Sequence, residues 1–221
     1  MLFLVPTPIG NLGDITFRAL DILKSVDIIL AEDTRVTGKL KKHFSIDTPM
    51  RSFHTHNEHQ KITPFIEELK QGSRFALVSD AGTPCISDPG YLLVRACHEN
   101  GITVSCLPGA SALTAAIGMG GISSDRFHFE GFLPVKKGRH TRLEYLSKLT
   151  SSIVLYESPH RLIKTLTSLK EYLGADRKAS VIKEISKIHE TVFWGTIEEV
   201  VAQIESRGSV KGEYVILIDK E

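Results

Sequence analysis

FALVSDAGTPCISDPG, residues 75–90, joins an apolar run to a turn rich in Gly, Pro, Ser and Asp. The apolar run Phe75–Val78 is typical of a buried strand, and the turn predicts a helix that begins at Asp88-Pro89. In α/β proteins such turns lie at the carboxyl ends of parallel strands, where small molecules bind. The stretch therefore predicts a parallel sheet with a ligand site at its edge.

The same strand-then-helix order recurs through the first half of the chain. The pairs are Leu2–Val5 with Ile15–Val26, Asp27–Ala31 with Thr34–Phe44, Arg51–His54 with Glu58–Gln71, Phe75–Ser79 with Pro89–Asn100, and Thr103–Leu107 with Ser111–Met119. Asp14 and Asp88 are predicted N-caps, and Gly72 and Gly101 predict where two helices end. Repeated units of this kind predict a mostly parallel sheet covered by helices on both faces.

Small residues at 118–124 interrupt the alternation, and we place a domain junction there. Beyond it we predict strands and helices at Phe127–Glu130, Ile153–Tyr156, Arg161–Leu173, Ala179–Ile185, Glu190–Trp194, Ile197–Glu205 and Glu213–Ile218. Lys183–Glu190 alternates charged and apolar residues, as an edge strand does. We therefore predict an α/β fold with two lobes. Residues 1–121 form a mostly parallel five-stranded sheet flanked by helices, and residues 122–221 form a mixed α+β lobe.

Composition narrows the class of protein. The chain has 221 residues, of which 42% are hydrophobic, and a net charge of +1. A generally basic nucleic-acid binder is therefore excluded, and any polyanion must be held by a local patch. The 3 cysteines show no CxxC spacing, and we find no apolar segment long enough to span a membrane. We expect a cytoplasmic protein with reduced thiols.

Three turns are predicted to meet at one edge of the first sheet. They are Pro6–Asp14, Asp80–Gly90 and Pro108–Ser111, each of which follows a predicted parallel strand. The chain contains neither a GxxxxGK[ST] loop nor a GxGxxG turn after a strand, so ATP and NAD are not favoured as ligands. A crevice of Pro, small residues, hydroxyls and carboxylates suits a weakly charged zwitterion such as S-adenosylmethionine.

Two clusters of polar residues follow other strands at this edge. Glu32, Asp33 and Arg35 could orient a hydroxyl group or accept its proton, or they could form a helix cap beside a solvated ion pair. His54 and Asn57 lie in a histidine-rich turn. A metal site there lacks further ligands nearby, so we expect these residues to contact substrate instead.

The second lobe carries a short basic run and a polar strand end. Lys136, Lys137, Arg139 and Arg142 could contact a phosphate backbone or form a solvated face. The segment Tyr156–Leu162 ends a predicted strand and starts a helix. Arg161 could lie on the surface of that helix or contribute to a ligand site.

Seven stretches together carry a family resemblance. They are PTPIGNLGDIT at Pro6–Thr16, AEDTR at Ala31–Arg35, SDAGTPCISDPG at Ser79–Gly90, LPGASAL at Leu107–Leu113, FEGFLP at Phe129–Pro134, YESPHRL at Tyr156–Leu162 and GEYVILI at Gly212–Ile218. In this order they resemble the bacterial ribosomal small-subunit RNA methyltransferase I family of the tetrapyrrole methylase superfamily. The resemblance covers essentially the whole chain.

The resemblance implies a homodimer that uses S-adenosylmethionine, bound between two lobes, to methylate a cytidine ribose 2'-hydroxyl in 16S rRNA of the small ribosomal subunit. No metal and no membrane are implied. Carried over by position, the cofactor pocket comprises Pro8, Asp80, Ala81, Gly82, Thr83, Cys85, Ile86, Ser111, Ala112, Tyr156, Glu157, Glu213 and Tyr214. Lys183 and Ser186 stand where the family has Arg and Thr, and lysine cannot make the two-pronged contact of arginine.

Our hypothesis divides the remaining polar residues between catalysis and RNA binding. Glu32, Asp33 and Arg35 are the predicted catalytic group. The residues predicted to guide RNA are His54, Asn57, Lys136, Lys137, Arg139 and Arg161. Two alternatives stay open from the sequence: a methyltransferase acting on a tetrapyrrole, and a non-catalytic RNA-binding module on the same fold.

Overall fold

A computed structural model describes residues 1–208 and 210–220. It divides the chain into two compact units, Met1–Ser111 and Ala112–Glu221. The division comes ten residues before the predicted junction at 121/122. Helix α5 (Ala112–Met119) was predicted to end the first lobe, but it contacts β10 (Tyr214–Ile218) and so belongs to the second unit. At Gly120 a Cβ atom would lie 3.0 Å from Leu217 Cδ1, so the chain passes close to that strand.

The first unit contains a five-stranded sheet in the order β3-β2-β4-β1-β5. The strands are β1 (Leu2–Leu4), β2 (Ile28–Ala31), β3 (Met50–Ser52), β4 (Phe75–Val78) and β5 (Val104–Cys106). The helices are α1 (Phe17–Ser25), α2 (Thr34–His43), α3 (Glu58–Lys70) and α4 (Tyr91–Glu99), with a 3₁₀ turn at Leu12–Asp14. All neighbouring strands are parallel, which confirms the predicted sheet.

Both faces of this sheet are buried, as its apolar strands predict. Leu77 of β4 belongs to a core cluster with Phe65 of α3 and Leu93 of α4. Val78, the next residue, belongs to a second cluster with Leu23 of α1 and Leu40 of α2. The carboxyl ends of the strands, which carry the predicted site, are therefore fixed by helices packed on both sides.

Two helix starts differ from the prediction. The cap of α1 is Thr16, whose Oγ1 accepts a hydrogen bond from the backbone N–H of Ala19 over 3.1 Å, whereas Asp14 lies in the 3₁₀ turn. Helix α4 begins at Tyr91 after Gly90, whose φ of 130° favours glycine. Asp88 is thus not a helix cap, and its carboxylate is left in the loop after β4.

The second unit contains a five-stranded mixed sheet in the order β6-β7-β10-β8-β9. Its further elements are β6 (Phe127–Phe132), α6 (Arg139–Leu146), β7 (Ser152–Glu157), α7 (Leu162–Leu173), β8 (Lys178–Lys183), β9 (Thr191–Thr196) and α8 (Ile197–Glu205). Strand β6 is parallel to β7, and the other pairs are antiparallel. This arrangement confirms the mixed α+β lobe.

The prediction of an edge strand at Lys183–Glu190 is wrong. Strand β8 ends at Lys183 and lies inside the sheet between β10 and β9. The chain then turns with positive φ at Glu184 (55°) and Ser186 (65°), and β9 begins at Thr191. Charged and apolar residues alternate in this segment, but they do not form a strand. Its backbone and side-chain polar groups make hydrogen bonds within the turn and to Glu213, just before β10.

Candidate active site

The loops after β1, β4 and β5 are joined by hydrogen bonds at the carboxyl edge of the first sheet. The backbones of Thr7 and Gly82 exchange two hydrogen bonds of 2.9 Å, and Thr7 Oγ1 donates to the carbonyl of Ser79 over 3.1 Å. Thr83 Oγ1 donates to the carbonyl of Ala110 over 3.1 Å. The structure therefore brings the three predicted turns together, with Thr7 and Thr83 as their connections.

The loop after β4 holds a strained backbone. Cys85 and Ser87 have φ values of 71° and 64°, a region that costs a non-glycine residue roughly 1–3 kcal/mol. The Cys85 side chain turns toward the first core cluster, and burial raises the pKa of its thiol to about 11. Cys85 is thus a packing residue whose backbone shapes the loop, whereas Ile86 beside it is exposed. Strain of this kind is concentrated at functional sites.

Three carboxylates lie near one another at the ends of β2 and β4. The backbone N–H of Asp33 donates to Asp80 Oδ1 over 3.1 Å. Burial, and then the charge of Asp80, raise the pKa of Glu32. Burial, and then the charges of Glu32 and Asp80, raise the pKa of Asp88 to about 6. Burial also raises the pKa of Asp80. The edge is therefore acidic, and each carboxylate makes ionisation of the next one harder.

Sequence reasoning missed Asp88 as a member of this cluster. The signal was present, because Asp80 and Asp88 bracket the same loop, but a helix was predicted to begin at Asp88-Pro89. The structure delays that helix to Tyr91 and leaves the Asp88 side chain half-buried.

Asp33 differs from the neighbouring carboxylates because it is bound by the side chain of Arg35. Asp33 Oδ1 accepts from the Arg35 backbone N–H (2.8 Å) and from Arg35 Nε (3.0 Å), and Oδ2 accepts from Nη2 (2.6 Å). The hydrogen bonds from the Arg35 guanidinium, followed by the one from its backbone N–H, lower the pKa of Asp33 to about 2. Asp33 is the N-cap of α2, and the Arg35 side chain is 87% exposed. Asp33 is therefore a poor proton acceptor that holds an exposed guanidinium in place.

His54 and Asn57 bind each other after β3. Asn57 Oδ1 accepts from the His54 backbone N–H over 2.9 Å, and Asn57 Nδ2 lies 3.1 Å from His54 Nε2. With the amide nitrogen as donor, Nε2 accepts and Nδ1 carries the ring proton. His54 Nδ1 is buried without a hydrogen-bond partner among the described residues. Asn57 thus holds the turn, and His54 retains a buried ring nitrogen for which residues 1–208 and 210–220 supply no partner.

A charged network lies at the end of β7 in the second unit. Glu157 Oε2 accepts from Thr165 Oγ1 (2.6 Å) and pairs with Arg161 Nη2 (3.2 Å). Thr165 Oγ1 also accepts from Arg139 Nη2 over 2.9 Å. Glu157 and Arg139 are buried, so Arg139 does not have the exposed position predicted for an RNA contact. Burial, and then the charge of Arg161, lower the pKa of Arg139.

The same two arginines hold the backbone before α6. Arg161 Nη2 donates to the carbonyl of Leu133 over 2.5 Å, and Arg139 Nη1 donates to that of Pro134 over 3.3 Å. Lys136 and Lys137, which follow directly, are exposed. Within the predicted basic run, Arg139 is therefore buried and fixes this loop together with Arg161 from outside the run, whereas Lys136 and Lys137 are presented to solvent.

The remaining predicted pocket residues have different environments. Tyr214 is buried in the second unit's core, and its hydroxyl donates to the carbonyl of Lys211 over 3.1 Å. The Glu213 backbone N–H donates to Glu184 Oε1, and its carboxylate pairs with Lys187, both over 2.9 Å. The Glu213 backbone also accepts from the Glu184 N–H, and Tyr214 is paired with strands on both sides, so both residues are held by contacts within the second unit. Pro8, Ala81, Ser111 and Ala112 are half-buried or exposed.

No group of three or more His, Cys, Asp or Glu side chains within residues 1–208 and 210–220 is placed to hold a metal ion. In the same residues no helix is long and apolar enough to cross a membrane.

Comparison with known proteins gives consistent results. Residues 1–201 match the family Tetrapyrrole (Corrin/Porphyrin) Methylases. A protein from Synechocystis sp. named Ribosomal RNA small subunit methyltransferase I is 49% identical over 219 residues, which are 99% of this chain and 78% of that protein.

Solved structures share the fold at low sequence identity. Diphthine synthase superimposes with a TM-score of 0.76 at 15% identity, covering 99% of this chain and 89% of that one. Uroporphyrin-III C-methyl transferase from Thermus thermophilus, complexed with S-adenyl homocysteine, gives a TM-score of 0.65 at 15% identity over 99% and 96% of the two chains. These likenesses support the two-lobed α/β fold predicted from the sequence.

Proposed function

Because the chain belongs to the tetrapyrrole methylase family and is therefore a methyltransferase, we propose that it transfers a methyl group from S-adenosylmethionine to small-subunit ribosomal RNA. The acceptor in this proposal is the 2'-hydroxyl of a cytidine ribose in 16S rRNA. Relatives with 44% to 49% identity over nearly the whole chain support the RNA substrate by their names. Homodimer formation and independence of metal, which the resemblance implies, and the cytoplasmic location expected from the composition are part of the proposal.

The observation that carries the proposal is the acidic, strained edge of the first sheet. S-adenosylmethionine bears a positive sulfonium and a positive ammonium group, and Glu32, Asp80 and Asp88 supply negative charge at this edge. A polyphosphate would be repelled by the same three groups. The donor, when bound, supplies an activated methyl group with its own leaving group.

The fit extends to the backbone of the joined loops. A Cβ atom at Gly82 would lie 3.3 Å from Ile9 Cγ2 and 3.7 Å from the carbonyl of Ala110, so a side chain there would crowd the meeting point of the loops. In the first unit, we propose that the donor is held by Pro8, Asp80, Ala81, Gly82, Thr83, Ile86 and Ser111. Cys85 supports this segment from its inner side.

We assign the proton chemistry to Glu32. A ribose hydroxyl is a weak nucleophile at neutral pH, and a base within hydrogen-bond reach adds roughly 10²–10⁴-fold to the rate. The raised pKa of Glu32 suits it to accept a proton, whereas the Arg35 contacts keep the pKa of Asp33 at about 2. Asp33 then acts as a positioning residue for Arg35, whose exposed guanidinium is free to contact an RNA phosphate.

The proposed RNA contacts are revised by the same geometry. Lys136 and Lys137 keep their predicted role because they are exposed. Arg139 and Arg161 act on RNA indirectly, since they fix the loop that carries the lysines. In this proposal His54 and Asn57 act on RNA indirectly, because they hold the turn after β3 by bonding to each other and His54 Nδ1 is buried.

Methyl transfer from labelled S-adenosylmethionine tests the proposal against its alternatives. The protein is incubated with undermethylated small ribosomal subunits, with the naked RNA and with a tetrapyrrole. We expect label in the RNA of the first or second sample and none in the tetrapyrrole. Label in the tetrapyrrole alone would identify the other branch of the family, and RNA binding without transfer would indicate a non-catalytic module.

A further inference from the structure

Strand β6, at one edge of the second sheet, presents three phenylalanines on the same face. Phe127 lies opposite Ser152 of β7, Phe129 opposite Val154, and Phe132 opposite Tyr156. The partner positions differ by two residues each time, so all three side chains point to one side of the sheet. Phe132 is five positions after Phe127, an odd offset that in a regular strand would place the two side chains on opposite faces.

A β-bulge restores Phe132 to this face. The register shifts between Phe129 and Gly131, and Gly131 has a φ of 69°. The extra residue, Glu130, is almost fully buried and accepts from Arg142 Nε over 2.8 Å, with His128 Nε2 also 2.9 Å from its carboxylate. Burial alone would raise the pKa of Glu130, but these hydrogen bonds reverse the effect and lower it. The bulge is thus held in place by the contacts of the Glu130 carboxylate with Arg142 of α6 and with His128.

Phe132 is exposed, although its ring also packs against the ring of Tyr156 on the neighbouring strand. Its side chain is 54% exposed, and its ring meets the Tyr156 ring edge to face at a centroid distance of 5.8 Å. Tyr156 in turn meets Phe129 at 5.0 Å. Val135, three residues further on, is 64% exposed. A rigid aromatic ring with an open face and a neighbouring apolar side chain is suited to stack against another planar group.

Two lysines follow Phe132 closely in the sequence. Lys136 and Lys137 follow Phe132 after a segment whose carbonyls, at Leu133 and Pro134, are held by Arg161 and Arg139. The sequence from Phe132 to Arg139 contains no carboxylate. The held segment therefore keeps both lysines within five residues of the aromatic ring, with no acidic residue between them.

From this juxtaposition we propose that Phe132 is a stacking platform for an unpaired RNA base, and that Lys136 and Lys137 contact the adjoining phosphates. Aromatic rings beside basic residues are the usual means of holding single-stranded nucleic acid. A second copy of this chain is the less suitable occupant, because a two-fold contact centred on Phe132 would bring the lysines of both copies together. The inference rests on the proposed RNA substrate and assigns a contact within it.

Substitutions at Phe132 separate stacking from simple apolar packing. Phe132→Leu keeps an apolar side chain without an aromatic face, Phe132→Trp keeps the face, and Phe132→Ala removes both. Phe127→Ala is the matched control, since Phe127 is on the same strand and face, is 43% exposed and lies far from the lysines. Binding of each full-length variant to small-subunit RNA is measured by fluorescence anisotropy. Isothermal titration calorimetry gives the affinity of each variant for S-adenosylhomocysteine, and sedimentation gives its mass in solution.

The inference predicts that Phe132→Ala and Phe132→Leu weaken RNA binding by roughly 5- to 100-fold. Phe132→Trp and Phe127→Ala should stay within about threefold of the unchanged protein. Affinity for S-adenosylhomocysteine and the sedimentation mass should not change. In turnover the loss should fall on KM for RNA, with kcat at saturating RNA retained.

Unchanged RNA affinity in Phe132→Leu would overturn the inference, and so would a fall in sedimentation mass, which would make the surface a contact between copies. If the unchanged protein neither binds nor methylates RNA, the proposed function itself fails. Failure of the inference and failure of the proposed function are distinguishable. The first is seen as a result for Phe132 variants of a protein that acts on RNA, and the second as loss of RNA binding and methylation in the unchanged protein.

Discussion

The backbone N–H of Asp33 donates to Asp80 Oδ1 over 3.1 Å and so ties the end of β2 to the loop after β4. One carboxylate thereby serves two purposes. It fixes the loop that carries Glu32 and Asp33, and it adds negative charge to the edge proposed to hold a cationic methyl donor.

Substitution of Asp80 should weaken binding of the donor. Asp80→Ala removes both the acceptor for Asp33 and the charge, so we expect affinity for S-adenosylmethionine to fall by roughly tenfold or more. Asp80→Asn retains an oxygen acceptor and removes the charge alone, so its loss measures the electrostatic part. Isothermal titration supplies both values. Unchanged affinity in Asp80→Ala would remove this residue from the site.

Glu32 and Asp33 should respond differently to loss of charge. Glu32→Gln should reduce the rate of methyl transfer at saturating donor by roughly 10²–10⁴-fold, because it removes the proposed base. It should also weaken donor binding, because it removes one of the three negative charges at this edge. Asp33→Asn should have a smaller effect on kcat and a larger one on KM for RNA, because it releases Arg35. Steady-state kinetics with saturating donor give the two constants. Equal losses of kcat in both variants would contradict the assignment.

The raised pKa of Asp88 predicts a pH-dependent stability difference. Its pKa is about 6 in the folded protein against 3.8 in the reference state, so the folded state binds this proton more tightly. The contribution of Asp88 to the free energy of unfolding therefore falls as pH rises from about 4 to about 6. Asp88→Asn should gain stability relative to the unchanged protein through that window, with a constant difference above about pH 7.

Asp125 provides a control of opposite sign for that experiment. Hydrogen bonds from Ser123 and Lys220 lower the pKa of Asp125 to about 2, so its contribution is present above about pH 4 and is lost as pH falls toward 2. Urea unfolding at several pH values measures Asp88→Asn and the control variant Asp125→Asn against the unchanged protein. If the difference between Asp88→Asn and the unchanged protein is the same at pH 4 and pH 7, the environment inferred for Asp88 is incorrect.

Gly90→Ala should be strongly destabilising. A Cβ atom there would lie 2.6 Å from Leu77 Cδ2 and 2.7 Å from Cys85 Sγ, and φ is 130°. We expect a loss of about 3 kcal/mol from the clash and the backbone strain together. Gly72→Ala is the control, since Gly72 also has positive φ (102°) but nothing within 4 Å of the added atom. Chemical denaturation should show a smaller loss, about 1 kcal/mol, for the control. Similar losses in the two variants would exclude the clash.

Removal of Glu157 should destabilise the second unit. Glu157→Ala leaves the guanidiniums of Arg139 and Arg161 without their buried carboxylate, for which a loss of about 3–5 kcal/mol is expected. Glu198→Ala is the control, because its pair with Lys170 spans 3.4 Å on the surface. Its loss should be below about 1 kcal/mol by the same denaturation experiment. A loss in Glu157→Ala as small as in the control would show that the network contributes little to stability.

The sequence predicted the parallel sheet, the mixed second sheet and the three joined turns, because each follows from local periodicity and from the direction of parallel strands. It did not predict that Gly90 would delay α4 and leave Asp88 in the loop, since that depends on contacts with Leu77 and Cys85. The burial of Arg139 was missed for the same reason. Its partner Thr165 lies 26 residues away on another helix. The sequence of a basic run does not show whether its side chains point into the core or into solvent.

The central claim is that the chain transfers a methyl group from S-adenosylmethionine to a ribose 2'-hydroxyl of small-subunit RNA. Its most direct test is alkaline hydrolysis of RNA labelled by the protein with radioactive donor. A methylated 2'-oxygen cannot attack the neighbouring phosphate, so we expect label in alkali-resistant dinucleotides that contain cytidine. Label recovered only in mononucleotides would place the methyl group on a base, and no label in RNA would refute the activity; either result would contradict the account.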